Sequence, residues 1–279
     1  MTQPIHPPLE TAVVAAAGVA SRMWPASKAI PKELFPLGRL PALAHLLIEF
    51  HDAGIRRVIL VVGPISGPLI ALLDPKGEPP AKLRGDPNVM KFQDVLGKLE
   101  IVLIRQIGPY GNGVPAINAM SLLGDAPFIY AFSDDVILGN ASRRLRDVYD
   151  ATGAPCFVMD RVPEEKVPSF GIAECVEDPG APAGAMRLVR LLEKPRIEET
   201  PSRYAVPGRY VVTPELGRLV ASTPPGKAGE LWFTDGLVAY LGTGKPIYAL
   251  PTEPGAWLTV GDPDNYARAV AAFQSVTYA

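Results

Sequence analysis

Between Ala15 and Leu37 the chain reads AAAGVASRMWPASKAIPKELFPL, a stretch that puts charge of one sign on a backbone of small residues. It holds Arg22, Lys28 and Lys32. From Thr11 through Ile48 four cations accompany the lone carboxylate of Glu33, a local formal charge of +3 in a chain of net −2. Ala16, Ala17, Gly18, Ala20 and Ser21 let a ligand come close to the main chain, and exposed N–H groups there can cradle phosphate oxygens. The stretch therefore reads as an anion site, with phosphate the natural guess; the alternative is a solvated loop whose cations touch nothing.

Three further groups could do chemistry. Ser133-Asp134-Asp135 closes the apolar run PFIYAF. One or two carboxylates at a strand's C-terminal end suit Mg²⁺, which takes oxygen ligands and substrate phosphates, although acidic residues also cap turns and helices. Glu193-Lys194-Pro195 follows MRLVRLL; Glu can accept sugar hydroxyls while Lys neutralises a phosphate, or the two form a surface ion pair. Gln106 precedes the turn GPYGNG, where Gly111 and Gly113 permit close main-chain contact, and its amide could read a base edge or simply face water. Other phosphate motifs are missing. Gly226-Lys227 and Gly244-Lys245 lack the Ser or Thr and the earlier glycine of a P-loop, and no G-x-G-x-x-G follows a strand.

The elements that must position these groups alternate. Thr11 to Ala17, Arg57 to Val62, Glu100 to Arg105 and Pro127 to Phe132 are short apolar runs expected as buried strands, with helices over Pro41 to Ala53 and Val114 to Leu123. Repeated β-α-β predicts an α/β, doubly wound, mostly parallel sheet with its crevice beyond the strand C-termini. Leu73 to Asp94 reads as an exposed excursion, partly helical, without assigned function. From Pro155 the texture changes. Cys156 to Asp160, Gly171 to Val176, Met186 to Leu192 and Tyr204 to Val212 are expected strands of an antiparallel or mixed addition, and GAPAGA (Gly180 to Ala185) a flexible turn. Pro214 to Ala221, Glu230 to Tyr240 and Pro263 to Phe273 are expected helices.

The 279 residues, 48% hydrophobic and 20% charged, are ordinary for a folded chain and give no case for wholesale disorder. Near-neutral charge, with no basic residues interleaved with aromatics, argues against nucleic acid as partner. The start, MTQPIHPPLE, has neither the positive flank nor the apolar run of a signal peptide, and no apolar stretch approaches a membrane span, so a cytoplasmic location is expected. Cys156 and Cys175 suggest neither a disulfide scaffold nor a zinc site, and His6, His45 and His51 follow no metal-ligand spacing.

Taken in order, these residues resemble the bacterial UTP-glucose-1-phosphate uridylyltransferases and, more distantly, the glucose-1-phosphate thymidylyltransferases. That family opens with A-A-G-x-G-T-R and P-A-T-K-A-I-P-K-E-M-L-P-L; this chain has AAGVASRMWPASKAIPKELFPL. Similar features recur as RQ…G-x-G (Arg105, Gln106, Gly111 to Gly113), D-V-I-L from Asp135, F-G-I from Phe170, E-K-P from Glu193, G-R-Y-V from Gly208 and T-D at Thr234-Asp235. The resemblance covers residues 11 to 275. It implies a single nucleotidyltransferase domain with a Rossmann-like fold, residues 11–150 forming the nucleotide-binding core and 151–279 the β-rich sugar-binding extension and C-terminal helices. It further implies a Mg²⁺-dependent reaction of a nucleoside triphosphate, UTP in the first instance, with glucose 1-phosphate, and a homo-oligomer. Arg22, Lys32 and Asp135 are the implied catalytic residues, with Asp135 on the metal. Ala16, Ala17, Gly18, Gln106, Gly111 and Asp134 fall at the nucleotide, and Gly171, Glu193 and Lys194 at the sugar phosphate.

Two departures stand out. Ala20 replaces the family's second glycine, a mild change if that position needs no positive φ. Thr259, in WLTVGDPDNY, replaces a second metal-binding Asp, for which Asp134 or Asp262 could compensate. A relative acting on another sugar or cyclitol phosphate with a different triphosphate, or a silent nucleotide-sugar-binding homologue, stays open on the sequence.

Overall fold

The computed structural model describes residues 6–182, 184–226 and 229–278. The first five residues of the N-terminal segment, Ala183 of the expected GAPAGA turn and Lys227 of one Gly-Lys pair lie outside the described residues.

Strand β1 (Thr11–Ala16) runs into three single 3₁₀ turns, Ser21–Met23, Ala26–Lys28 and Lys32–Leu34, then a small hairpin of β2 (Pro36–Leu37) and β3 (Leu40–Pro41). There follow α1 (Ala42–Asp52), β4 (Arg57–Val62), α2 (Gly67–Leu72), α3 (Pro87–Lys98), β5 (Glu100–Arg105), α4 (Val114–Leu123), β6 (Phe128–Phe132), β7 (Asp135–Ile137) and α5 (Ala141–Thr152). The remainder comprises β8 (Cys156–Arg161), β9 (Gly171–Glu177), β10 (Met186–Glu193), β11 (Tyr204–Ala205), β12 (Arg209–Val212), α6 (Pro214–Ser222), α7 (Phe233–Leu241), β13 (Tyr248–Pro251), β14 (Trp257–Thr259) and α8 (Pro263–Phe273). The expected excursion at Leu73 to Asp94 contains a 3₁₀ turn and the start of α3, whose N-cap Asp86 accepts from the main-chain N–H of Asn88 and Val89.

One ten-stranded sheet runs β11-β9-β10-β13-β8-β12-β6-β1-β4-β5. Side-chain alternation explains why its central strands carry apolar residues on both faces. Val14, Val58 and Leu60 point into a core shared with α1, α3 and α5, while Val13, Ile59 and Val61 point into one shared with α4, α6 and α7. The expected preponderance of parallel pairing does not hold. Parallel pairs are confined to β5–β4–β1–β6 and β8–β13, and every other described pair in this sheet is antiparallel. Helical crossovers build the first half; the connection from Glu177 to Met186 is too short for one, so β9 and β10 pair antiparallel.

Two other expectations change for local reasons. Tyr204 to Val212 is not one strand but two, which share β8 as a partner while the first also pairs with β9 and the second with β6, because Pro207 has no N–H and Gly208 turns to lie against Phe132. The last helix before β13 begins at Phe233, not Glu230, since the main chain of Leu231 is engaged with Tyr110 and Gly113.

Strand order reverses at β1, which has β4 on one side and β6 on the other. The C-terminal ends of β1 and β6 therefore open at a topological switch point, where a doubly wound sheet offers its crevice. The glycine-containing loop leaves from one and Ser133-Asp134-Asp135 from the other.

Candidate functional site

Two adjoining cavities occupy this crevice. The first, about 240 Å³, is lined by Ala17, Gly18, Lys32, Gln106, Tyr110 and Gly111 together with Asn112, Phe132, Asp134 and Trp232. The second, about 270 Å³, shares those last four residues and adds Arg22, Asp135, Gly171, Glu193, Lys194 and Thr259. Ala16 lies elsewhere, on a third cavity against the same loop beside Trp24 and Lys28.

Lys32 is the electrostatic centre of the first cavity. Its side chain is 12% exposed, and Nζ stands 2.7 Å from Asp134 Oδ2, whose own side chain is 18% exposed. Burial works against the ammonium, but the charges of Asp134, Glu33 and Asp135 outweigh it and raise its pKa above that of an ordinary lysine. Glu33 lies underneath, buried, with Ser133 Oγ donating to its Oε1 at 2.7 Å; burial is the main cause that pushes its carboxyl up. The 3₁₀ turn holding Lys32 and Glu33 is thus fastened to the end of β6.

The glycines of the GPYGNG turn serve the chain itself. Gly111 has φ +141, and a Cβ there would lie 2.3 Å from Leu231 O; the same carbonyl would be 3.1 Å from a Cβ at Gly113. Between them, Asn112 Oδ1 accepts from Phe233 N at 2.8 Å and Asn112 O accepts from the Tyr130 hydroxyl. Asn112 is a site residue that sequence reasoning missed, although it stood inside a quoted motif.

Asp135 opens β7, opposite Thr259 of β14. Its Oδ1 accepts from Trp257 Nε1 at 2.9 Å and its Oδ2 from Gly208 N at 2.8 Å, the N–H that the break at Pro207-Gly208 delivers. Burial, and then the charge of Asp134, raise its pKa to about 6 against the help of those two donors. Beneath it the wholly buried Arg209 donates to Asp135 O at 3.1 Å and to Glu49 Oε2 at 3.2 Å, so a buried ion pair fixes the strand that carries the carboxylate. Neither Trp257 nor Arg209 was assigned a role from sequence; only the contacts between distant elements reveal them.

The acidic pair meets the requirements of a hard cation. All its donors are oxygen, each Asp135 oxygen keeps a lone pair beyond the hydrogen bond it accepts, and a divalent ion would offset the burial and neighbouring charge that raise the proton affinity of Asp135. Among the described residues no three His, Cys, Asp or Glu form a closed metal cage. Mg²⁺ held by one or two carboxylates and completed by substrate phosphate needs none.

Arg22 lines the second cavity and Lys32 the first. The Arg22 side chain is 70% exposed, with the guanidinium 3.6 Å from Asp262 at the N-cap of α8. Ala20, just before it, has φ +47. The position does take the left-handed conformation, so the alanine departs from the family's glycine at a strained site. In the second cavity Glu193 Oε2 accepts from Thr234 Oγ1 at 2.9 Å and packs against Gly171, where a Cβ would be 3.2 Å away. Lys194 has φ +48, and its ammonium lies over the Trp232 ring.

The sequence pattern of the family described as Nucleotidyl transferase matches residues 11–275. The chain belongs to that family. A UTP–glucose-1-phosphate uridylyltransferase of Bacillus subtilis is 32% identical over 231 residues, covering 81% of this chain and 77% of the relative. One of Mycoplasma pneumoniae is 28% identical over 248 residues, covering 87% and 85%. Among solved structures, a UDP-glucose pyrophosphorylase complexed with UDP-glucose superposes with a TM-score of 0.85 at 25% identity, over 95% of this chain and 98% of the other. A UTP-bound UGPase from Acinetobacter baumannii gives 0.77 at 25% identity, over 95% and 93%. This nucleotidyl transferase is a sugar-1-phosphate nucleotidyltransferase, an enzyme similar to UGPases. Among its described residues no helix is long and apolar enough to cross a membrane.

Proposed function

We propose that the enzyme joins UTP and glucose 1-phosphate to give UDP-glucose and pyrophosphate. The observation that carries this reading is the pair of adjoining cavities with Asp134 in the wall of both: one has the Lys32 ammonium and the Gln106 amide for a nucleotide, the other has Glu193 and Lys194 for a sugar phosphate. The relatives named for UTP, glucose 1-phosphate and UDP-glucose support the choice of substrates.

In this reading Gln106 and the main chain at Ala17 and Gly18 hold the base, with Gly111 beside them. Lys32 meets the triphosphate, and Arg22, at the rim, stabilises charge that moves onto the leaving pyrophosphate. Lys194 holds the phosphate of the sugar, and Glu193 accepts its hydroxyls. A phosphate oxygen of glucose 1-phosphate bonds to the α-phosphorus of UTP as the bond from that phosphorus to the pyrophosphate oxygen breaks. The residues' work is to set the two anions in line and to offset their repulsion. A phosphate monoester is already anionic near neutral pH, so no histidine base and no covalent intermediate are needed. Mg²⁺, typical of the family, would be held by Asp135 with Asp134 alongside and would supply positive charge to the phosphate oxygens.

Pyrophosphate release from UTP, glucose 1-phosphate and Mg²⁺, measured beside other triphosphates and sugar 1-phosphates, tests the proposal. The expected best pair is UTP with glucose 1-phosphate. A different best pair would overturn the substrates named here, and no release from any pair would overturn the reaction.

A further inference from the structure

Glu193 and Lys194 are both held by one short segment. Thr234 Oγ1 donates to Glu193, and Lys194 Nζ stands 4.1 Å from the centroid of the Trp232 ring. The same segment is tied into the nucleotide-side cavity: Leu231 N donates to Tyr110 O at 3.1 Å, Gly113 N donates to Leu231 O at 2.8 Å, and Phe233 N donates to Asn112. Trp232 lines both cavities. Lys194 also holds a left-handed main-chain conformation, which a side-chain-bearing residue keeps only where its surroundings impose it.

We propose that Trp232 is a positioning residue whose indole holds the Lys194 ammonium ready for the phosphate of the sugar 1-phosphate. The inference rests on the reading that the second cavity takes that substrate. A lysine has extensive rotamer freedom, which a bound phosphate would otherwise have to freeze out. Attraction to the face of an aromatic ring restrains the ammonium while leaving N–H donors directed away from the ring for phosphate oxygens. Since Trp232 is fastened through Leu231 and Phe233 to the GPYGNG turn, the cation's position is referred to the nucleotide-side wall.

Steady-state kinetics of the full chain separate this role from a structural one. Trp232→Leu is expected to raise KM for glucose 1-phosphate about tenfold and leave KM for UTP within about twofold, with Trp232→Phe recovering most of the loss. In the Lys194→Ala background, Trp232→Leu should add nothing. An unchanged KM for glucose 1-phosphate, an equal rise for UTP, or full additivity would overturn the inference while leaving the proposed reaction standing. A second readout does not require turnover: Lys194→Met should alter tryptophan emission, and the change should vanish in Trp232→Phe. If wild type fails to turn over any pair, the proposed reaction falls. The emission test then decides the placement of Lys194 on its own, and unaltered emission overturns it.

Discussion

The cavity on the β1 side of Asp134 surrounds an ammonium whose side chain is only 12% exposed, whereas the one beyond it has Arg22, a largely exposed cation, on its wall. In the first, Lys32 is compensated on two sides by Asp134 and Glu33, both fastened to the end of β6. In the second, Arg22 is largely exposed and Lys194 leans on an aromatic ring. The difference teaches that the two regions hold charge by different means. One sets its cation between carboxylates, and the other rests Lys194 against an aromatic ring, a contact that a single substitution can loosen.

Removing the fixed charge should have the largest effect. Lys32→Ala leaves Asp134 and Glu33 without their cation and should lower kcat by about 10³ with the fold retained, as read by pyrophosphate release and circular dichroism. Full activity in that variant would break the assignment of charge to the first cavity. Gly111→Ala tests the wall between the regions. Its Cβ would meet the main chain of Leu231 at a positive φ, so a loss of about 2–3 kcal/mol in stability is expected by denaturant titration. A neutral result would mean that the segment around Leu231 can move aside.

Lys194→Ala sharpens the contrast from the other direction. KM for glucose 1-phosphate should rise about 10- to 100-fold while KM for UTP stays within a factor of about two, the loss of one charge-assisted contact. The smallest effect belongs to the loop. Ala20→Gly removes roughly 1–2 kcal/mol of left-handed strain but gives the unfolded chain more freedom, so a net gain of about 0.5–1 kcal/mol should appear as a higher Tm. A lower Tm would show that Ala20 makes a packing contact worth more than its strain.

The parallel half of the sheet was legible in the sequence because burial on both faces writes itself as unbroken runs such as RVILVV, and Arg57–Val62 and Glu100–Arg105 have the expected bounds. The antiparallel half was legible as strands but not as pairings, since the order of β8, β12 and β13 is decided by partners far apart in the chain. At the site, residue types and motifs picked out residues that the fold brings together: Gly18, Lys32, Gln106, Gly111 and Asp134 line one cavity, and Gly171, Glu193 and Lys194 the next. What they could not give was partnership. Nothing local predicts that Lys32 bonds Asp134, that Arg22 turns toward Asp262, or that Trp232 and Trp257 take hold of Lys194 and Asp135. Those contacts join separate elements, and the left-handed φ of Ala20 is likewise imposed by the loop and not by the residue.

In the proposed reaction a nucleotide and a sugar phosphate lie side by side with Asp134 between them. A crystal structure of the enzyme soaked with UDP-glucose tests it most directly. Uracil is expected against Gln106 and Gly111, the hexose against Glu193 and Lys194, and the diphosphate crossing at Asp134 near Lys32. Density for the nucleotide in any other cavity, or a hexose remote from Glu193, would contradict it.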